Sequence, residues 1–189
     1  MTSGSKKGPK GIGSTHASGL MNFIRWPGMI QPGSRCDAVQ TPMDHLPTLC
    51  GLAGIPIPWE VDGIDLKDVL LGRGKSSRRE ALIGNYTSPG DYFQSGTDWP
   101  DWRGVYTGRY TYFRWGNGDE ELYHNAEDPF QMINLALGRR ELPLLNRMRA
   151  RLRELLLAAH DDFQAGRAYG RWFDEERNLV RTGLGPVPE

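Results

Sequence analysis

The residue types that most often carry chemistry are few in this chain, and they lie far apart. Cys36 and Cys50 are its only cysteines, so no Cys-x-x-Cys metal motif exists, and two cysteines do not define a disulfide framework. The four histidines occupy positions 16, 45, 124 and 160, without the histidine or carboxylate partners that a metal site needs. The sequence therefore predicts no metal site within this chain.

Asp44 and His45 lie in a segment that carries the start and stop signals of a short helix. Thr41 suits the N-cap, Pro42 the first helical position and Gly54 the end. One predicted face of this helix is apolar and consists of Met43, Leu46, Leu49, Cys50 and Ala53. The Asp44 carboxylate is predicted to interact with the helix dipole rather than to bind a ligand.

Residues 102–123 mix aromatic and β-branched side chains with glycine and asparagine, a pattern typical of antiparallel strands joined by tight turns. We predict strands at residues 102–107, 110–115 and 121–123. Their aromatic side chains are predicted to form cross-strand pairs rather than a platform for a sugar: Trp102, Tyr106, Tyr110 and Tyr112. Such a small sheet needs a cover on one face.

That cover is predicted to be a helix over residues 141–163. Apolar residues recur there at three- and four-residue spacing, and the arginines lie mostly off their stripe, which consists of Leu145, Met148, Leu152, Leu155, Leu156, Ala159 and Phe163. Burying the larger side chains at roughly 1.5–3 kcal/mol each would dominate the local energetics, before conformational entropy is subtracted.

The other predicted elements are short and are separated by glycine and proline. They are a strand at residues 20–25, turns at 26–28 and 31–34, a helix at 62–72 and a strand at 81–86. Residues 87–101 predict a loop that is either a binding lid or a surface excursion. Residues 1–19 and 165–189 have the composition of tails.

Composition excludes several classes of protein. The 189 residues carry no net formal charge and are 38% hydrophobic, which predicts one domain or slightly more. Balanced charge argues against a nucleic-acid partner, because phosphate binding needs a basic face. No apolar run approaches the ~20 residues of a membrane span, and the N-terminus lacks the apolar segment of a signal peptide. We therefore expect neither nucleic acid nor a membrane as a partner.

Five short motifs follow one another in a recognisable order. They are Arg25-Trp26-Pro27-Gly28 after an apolar run, Pro47-Thr48-Leu49 with Leu52-Ala53-Gly54, Asp62-Gly63-Ile64-Asp65-Leu66, Trp102-Arg103-Gly104-Val105-Tyr106 with Glu121-Leu122-Tyr123, and Asp128-Pro129-Phe130 with Asn134-Leu135-Ala136. In this order they resemble the C-terminal portion of the sulfatases, over about residues 4 to 160.

The resemblance implies an α/β fold of the alkaline-phosphatase-like superfamily, in truncated form. Residues 1–19 would be a flexible remnant of an active-site loop, and residues 20–86 the last part of the large sheet domain. A loop at 87–101 would lead to a small antiparallel sheet with its long helix at 102–164, followed by a tail at 165–189.

The resemblance also implies what this sequence lacks. Sulfatases carry a nucleophile in a Cys/Ser-x-Pro-x-Arg motif, which is oxidised to formylglycine, and a divalent cation, usually calcium, held by Asp-Asp and Asp-His or Asp-Asn pairs. Neither Cys36 nor Cys50 lies in such a motif, and the only Asp-Asp pair, Asp161-Asp162, lies at the end of the last predicted helix. We therefore expect no cofactor in this chain and a calcium ion only in the complete family enzyme.

Lys10 is the one catalytic residue that the resemblance transfers to this chain. Family members have a lysine shortly before the Trp-Pro-Gly strand that binds a sulfate oxygen, and an ammonium suits a developing oxyanion. Lys7 and Lys6 are the alternatives if the register differs. His16 could contact a substrate and titrate near neutral pH. The loop at residues 87–101 is the best place for substrate-specific contacts, which we assign to Tyr92 and Trp99.

The leading hypothesis is the C-terminal part of a sulfatase, inactive alone, whose complete enzyme acts on a sulfate ester or a sulfated glycan. The alternatives are a non-catalytic binding module of sulfatase ancestry and a fragment of a related phosphonate or phosphate ester hydrolase. If the strand at residues 20–25 belongs to a large sheet whose other strands are absent, its exposed edge predicts self-association.

Overall fold

A computed structural model describes residues 22–85, 101–164, 166–182 and 185–187. The chain divides into two compact units, with the boundary after Ala81. We call the described residues up to Ala81 the N-terminal unit and those from Leu82 onward the sheet–helix unit. No helix among the described residues is long and apolar enough to cross a membrane.

The N-terminal unit contains two α-helices. A 3-10 turn at Pro42–Asp44 leads into α1 (His45–Ala53), and α2 follows at Lys67–Leu70. Thr41 is the N-cap of the 3-10 turn, and Gly54 ends α1 in the left-handed conformation, at φ 68°. The predicted helix start and stop are therefore confirmed, whereas the helix predicted at residues 62–72 is reduced to four residues.

The strand predicted at residues 20–25 is wrong for the part that the structure describes. Residues 22–26 form no regular element, because a strand needs a ladder partner and the described part of the chain offers none. The turn that follows is confirmed, since Met29 N donates to Trp26 O at 3.1 Å and Gly28 has φ 79°. Ser34 N closes the second predicted turn on Gln31 O at 3.2 Å.

The apolar stripe of α1 faces outward in this chain, which the sequence pattern did not predict. Met43, Leu46 and Leu49 are 53%, 49% and 58% exposed. The helix instead buries Pro47 and Thr48. The close fit at Gly51, where an added Cβ would lie 2.1 Å from the Asp65 carboxylate, shows that the inner side of α1 packs on the segment before α2.

The sheet–helix unit is built on a four-stranded sheet in the order β1 (Ala81–Asn85), β2 (Trp102–Tyr106), β3 (Tyr110–Trp115) and β4 (Glu120–His124). The last three strands are antiparallel, with Val105 opposite Tyr112 and Tyr112 opposite Leu122. The predicted strands are thus confirmed. The predicted aromatic pairs are confirmed at Trp102, which lies opposite Trp115 and packs edge-on against Phe113 at 4.8 Å.

The long helix α3 (Leu142–Ala158) covers one face of this sheet, as predicted. Six residues form the buried core between them: Val105, Tyr112, Leu122, Leu145, Met148 and Leu152. The helix ends earlier than the apolar stripe, because His160 and Phe163 take left-handed backbone angles of 52° and 55°. Ala159 and Phe163 therefore lie beyond the helix, and the stripe was predicted too long.

The C-terminal residues contain short regular elements where the composition predicted only a tail. A 3-10 helix spans Gly166–Trp172, and β5 (Arg181–Thr182) pairs antiparallel with β6 (Gly185–Pro186). The architecture of a small antiparallel sheet covered by a long helix, within an α/β fold, is the predicted one.

Candidate functional site

The four residues predicted to contact substrate lie outside the described residues. Lys10 and His16 precede residue 22, and Tyr92 and Trp99 fall in the undescribed stretch at 86–100. Lys7 and Lys6, the alternatives to Lys10, also precede residue 22. These assignments stay predictions, and the described residues offer other polar clusters to consider.

Asp44 is the centre of the polar cluster in the N-terminal unit. Its side chain is fully buried, and each carboxylate oxygen accepts two hydrogen bonds. One oxygen accepts from Thr41 N at 2.7 Å and Thr41 Oγ1 at 3.0 Å, and the other from Ile64 N at 2.8 Å and Arg78 Nη2 at 2.7 Å. Both oxygens of Asp44 therefore bind donors of its own chain, and its carboxylate offers no free oxygen to a ligand.

The pKa of Asp44 follows from these contacts. Burial alone would raise it, but the backbone hydrogen bonds from Ile64 and Thr41, the Thr41 hydroxyl and the nearby Arg78 charge together lower the pKa below its ordinary value. Asp44 is consequently an anion under physiological conditions, held by donors on three separate segments.

Thr48 makes the second contact between α1 and the segment before α2. Its hydroxyl accepts from Leu66 N at 3.0 Å and donates to Ile64 O at 3.4 Å. Gly63 allows this close approach, since a Cβ there would lie 2.0 Å from Met43 O. His45 is exposed in the first turn of α1, where its Nε2 lies 3.0 Å from Asn22 Nδ2. These residues fix the loop geometry and leave no catalytic pair.

Arg103 and Asp161 form a buried ion pair in the sheet–helix unit. Arg103 Nε donates to Asp161 Oδ2 at 2.5 Å, and its Nη1 donates to Asn85 O at 3.1 Å. The guanidinium also lies 5.0 Å from the centre of the Phe163 ring. The other Asp161 oxygen accepts from Phe163 N at 2.7 Å. The pair joins β2 to the chain leaving α3.

This use of Asp161 tests whether the described residues fit the implied calcium ion. Both of its oxygens are committed to protein donors, and within the described ranges no three histidine, cysteine or carboxylate side chains lie together as a metal site would require. The only Asp-Asp pair of the chain does not fit such an ion.

Glu120 connects β4 to α3 through a second polar cluster. Its carboxylate receives a bidentate pair of hydrogen bonds from the Arg149 guanidinium, and the Tyr112 hydroxyl also donates to it. The hydrogen bond from Arg149 is the main cause that lowers the pKa of Glu120. Burial, followed by the hydrogen bond to Glu120, raises the pKa of Tyr112 well above its ordinary value.

An open groove of about 360 Å³ lies beside this cluster. The residues that line it are Tyr112, Arg114, Gly118, Glu120, Arg149, Leu152, Arg153 and Leu156. The sequence predicted that Leu152 faces the sheet. It therefore also predicted that Arg149 and Arg153 lie at the edge of the apolar stripe. Their convergence with Arg114 was not predicted, because it depends on how α3 packs on β3.

A second cavity of about 240 Å³ surrounds His124 and Arg109. The His124 ring packs edge-on against Tyr110 at 4.8 Å, and its Nε2 lies 3.2 Å from Arg109 Nε and 3.5 Å from a Glu127 carboxylate oxygen. His124 is thus held by its neighbours in the strand hairpin. Where a hydroxyl meets a carboxylate among the described residues, as Thr41 does at Asp44 and Tyr112 at Glu120, the cluster binds groups of its own chain.

Comparison with known proteins gives one consistent family. The family model for N-sulphoglucosamine sulphohydrolase, C-terminal, matches residues 18–158. The chain is 33% identical over 145 residues to an ulvan-active sulfatase of Formosa agariphila, which covers 76% of this chain and 27% of that protein. It is 34% identical over 143 residues to human arylsulfatase A, covering 71% of this chain and 25% of that protein.

Solved structures resemble the same portion. A structure of a protein in complex with its substrate D-glucosamine-2-N,6-O-disulfate matches with a TM-score of 0.63 and 25% identity, over 74% of this chain and 28% of that one. A phosphonate monoester hydrolase of Silicibacter pomeroyi matches with a TM-score of 0.57 and 22% identity, over 74% of this chain and 29% of that one, which shows a shared fold. The chain therefore spans between 25% and 27% of the length of the two curated relatives named above.

Proposed function

Because the chain belongs to the sulfatase family through its C-terminal domain, we propose that it forms the C-terminal part of a sulfuric ester hydrolase and has no turnover by itself. The observation that supports this proposal is the family match over residues 18–158 in a sequence without a Cys/Ser-x-Pro-x-Arg motif. The nucleophile would have to come from another segment or another chain.

The proposed substrate is a sulfated saccharide. This follows from the relatives, which include the ulvan-active sulfatase, a Δ4,5-hexuronate-2-O-sulfatase of Bacteroides thetaiotaomicron and the protein bound to the disulfated glucosamine. In this proposal Lys10 binds a sulfate oxygen through its ammonium group. His16, Tyr92 and Trp99 contact the rest of the substrate.

The sheet–helix unit would act as a scaffold in this enzyme. Its buried ion pair between Arg103 and Asp161 ties β2 to the segment after α3, and the Glu120–Arg149 pair ties β4 to α3 itself. A divalent cation in the complete enzyme would polarise the sulfate ester. Since the described carboxylates do not fit such an ion, its ligands would also lie in another segment.

The first experiment measures hydrolysis of an aryl sulfate by the purified 189-residue chain with calcium supplied. We expect no turnover above that of a matched preparation from cells without the gene. Turnover that co-purifies with the chain through two orthogonal columns and is lost in Lys10→Ala would overturn the proposal, because it would mean that the chain carries its own catalytic site.

The second experiment reads the DNA upstream of the Met1 codon. An in-frame Cys-x-Pro-x-Arg motif together with Asp-Asp and Asp-His pairs is the expected result. A genuine translation start at Met1, with no such segment encoded nearby, would favour a non-catalytic binding module of sulfatase ancestry instead.

A related phosphonate or phosphate ester hydrolase is the second candidate, because the phosphonate monoester hydrolase shares the fold. The complete enzyme distinguishes the two when aryl sulfate and phenyl phosphonate esters are compared under identical conditions. We expect the larger kcat/KM for the sulfate ester, and the reverse order would establish the alternative.

A further inference from the structure

The groove between the β3–β4 hairpin and α3 concentrates positive charge. Three guanidinium groups line it, from Arg114, Arg149 and Arg153, and only one carboxylate does, that of Glu120. Arg149 and Glu120 neutralise each other through their bidentate pair. The groove therefore has an excess of two positive charges, on Arg114 and Arg153.

The neighbouring carboxylates make their hydrogen bonds outside the groove. Asp119 accepts a hydrogen bond from Asn117 Nδ2 at 2.9 Å within the turn, and Glu121 points to the opposite face of the sheet, where it binds Trp115 Nε1 at 3.0 Å and the Tyr123 hydroxyl at 2.7 Å. Both Arg114 and Arg153 are exposed, and neither makes an ion pair within the described part of the chain.

Arg114 lies between two charged cross-strand neighbours, directly opposite Arg103 on β2 and Glu120 on β4. Both neighbours already have partners, because Arg103 pairs with Asp161 and Glu120 pairs with Arg149. Arg114 is therefore left without an ion-pair partner of its own in the described part of the chain. An anion bound between Arg114 and Arg153 would supply a counter-charge to both guanidinium groups.

The shape of the groove fits a sugar that carries an anionic group. Its volume of about 360 Å³ lies within the range of small-molecule sites, roughly 300–1,000 Å³. Leu156, which is half-buried, offers an apolar surface beside the arginines for the face of a sugar ring. At Gly118 an added Cβ would meet no atom within 4 Å, so the turn side of the groove is open to an extended ligand.

We propose that this groove binds a sulfate group of a sulfated saccharide, with the guanidinium groups of Arg114 and Arg153 as its direct ligands. Guanidinium groups present paired donors that match the oxygens of a tetrahedral oxyanion. The choice of saccharide rests on the proposed function, whereas the anion site rests on the groove itself.

The test is binding of a size-defined, N- and O-sulfated hexasaccharide to the full chain, measured by isothermal titration calorimetry at low ionic strength. The same hexasaccharide without its sulfate groups is the ligand control. We expect Arg114→Gln and Arg153→Gln each to weaken binding by about tenfold, equivalent to roughly 1.4 kcal/mol. Added salt should weaken binding by the native chain, because the site is exposed.

Arg147→Gln is the matched protein control, since Arg147 is an exposed arginine on the same helix that does not line the groove. We expect this variant to bind like the native chain. Thermal unfolding of all three variants should match that of the native chain, because the three substituted side chains are exposed.

Three results would overturn the proposal: no binding by the native chain, equal binding of the saccharide without sulfate, or an equal loss in Arg147→Gln. Tighter binding of a single-stranded DNA of the same charge would also overturn it, in favour of a nucleic acid. No turnover is measured, so a failure here leaves the sulfatase proposal standing, and a failure of that proposal leaves the anion site testable with the same ligand.

Discussion

The two units of this protein are ordered by different kinds of contact. The sheet–helix unit buries a continuous apolar core between β2, β3, β4 and α3. The N-terminal unit buries few apolar side chains, Val39, Leu66 and Ala81, and centres instead on the fully buried carboxylate of Asp44 and the hydroxyl of Thr48. On α1, Leu46 and Leu49 remain exposed.

This difference has an energetic meaning. Apolar burial is the main driving force of folding, whereas a buried ion pair or hydrogen bond fixes geometry with a small net gain. The sheet–helix unit therefore has its own source of stability. The N-terminal unit has a defined inner geometry but leaves Leu46 and Leu49 without apolar cover among the described residues.

The largest expected effect is in the core of the sheet–helix unit. Leu152→Ala should reduce the free energy of unfolding by about 2–5 kcal/mol, because Leu152 is buried against the sheet and its loss leaves a cavity. Urea unfolding followed by tryptophan fluorescence measures this change. Leu157→Ala is the control, since Leu157 is 72% exposed, and equal losses in the two variants would contradict the described packing.

A smaller and more local effect is expected at Asp44. Asp44→Asn should cost about 3 kcal/mol, because it removes the charged partner of the buried Arg78 contact and places an amide NH2 group against one of the two backbone donors. Hydrogen exchange should accelerate at the Ile64 amide and stay unchanged at Val105. Asp37→Asn, at an exposed position, should change neither. Equal acceleration at Ile64 and Val105 would remove the contrast between the units.

Acid should destabilise the N-terminal unit through the same residue. The folded pKa of Asp44 is lowered, so its contribution is present above the ordinary value of 3.8 and is lost as pH falls through that value toward the folded pKa. Hydrogen exchange at Ile64 should therefore gain an acid-dependent component beyond its intrinsic rate. This component should be absent in Asp44→Asn, and its persistence would assign the effect to another group.

At Tyr112 the expected change is about 1 kcal/mol. Tyr112→Phe keeps the ring in the core and removes only the hydroxyl that donates to Glu120. The urea midpoint should fall slightly without a change in slope. Tyr106→Phe is the comparison, because its hydroxyl makes no hydrogen bond among the described residues, and it should stay within ±0.5 kcal/mol, as surface changes do.

The smallest change in stability is expected on the exposed face of α1. The double substitution Leu46→Ser with Leu49→Ser should alter the free energy of unfolding little, since both side chains are exposed. It should nevertheless reduce self-association of the native chain in sedimentation velocity. A native chain that is monodisperse at all concentrations would contradict this expectation, which replaces the self-association predicted at a sheet edge of residues 20–25, where the described residues form no strand.

The sequence predicted elements whose signals are local. The three strands at residues 102–123, the helix beneath them and the stop at Gly54 all follow from alternation, periodicity and turn residues in one stretch of chain. The buried face of α1 could not be predicted in this way, because the apolar stripe of the helix is its exposed face in the structure. A periodic stripe shows that a cover is needed and does not show which segment supplies it.

The polar clusters were missed for a related reason. Asp44 meets Arg78 across 34 positions and Arg103 meets Asp161 across 58, so neither pair leaves a pattern within one window of sequence. The carboxylate of Asp44 was predicted to interact with the helix dipole, whereas four donors from its own chain surround it in the structure.

The carboxylates on β4 also set an upper pH limit for the sheet. Glu120 accepts from the Tyr112 hydroxyl and Glu121 from the Tyr123 hydroxyl, and burial together with these acceptors raises the pKa of both phenols above their ordinary value of 10.0. Unfolded tyrosines ionise first as the solution becomes alkaline, so base favours the unfolded chain. Tyrosinate absorbance would then rise cooperatively as the sheet opens, which makes these two phenols an internal optical reporter of that transition.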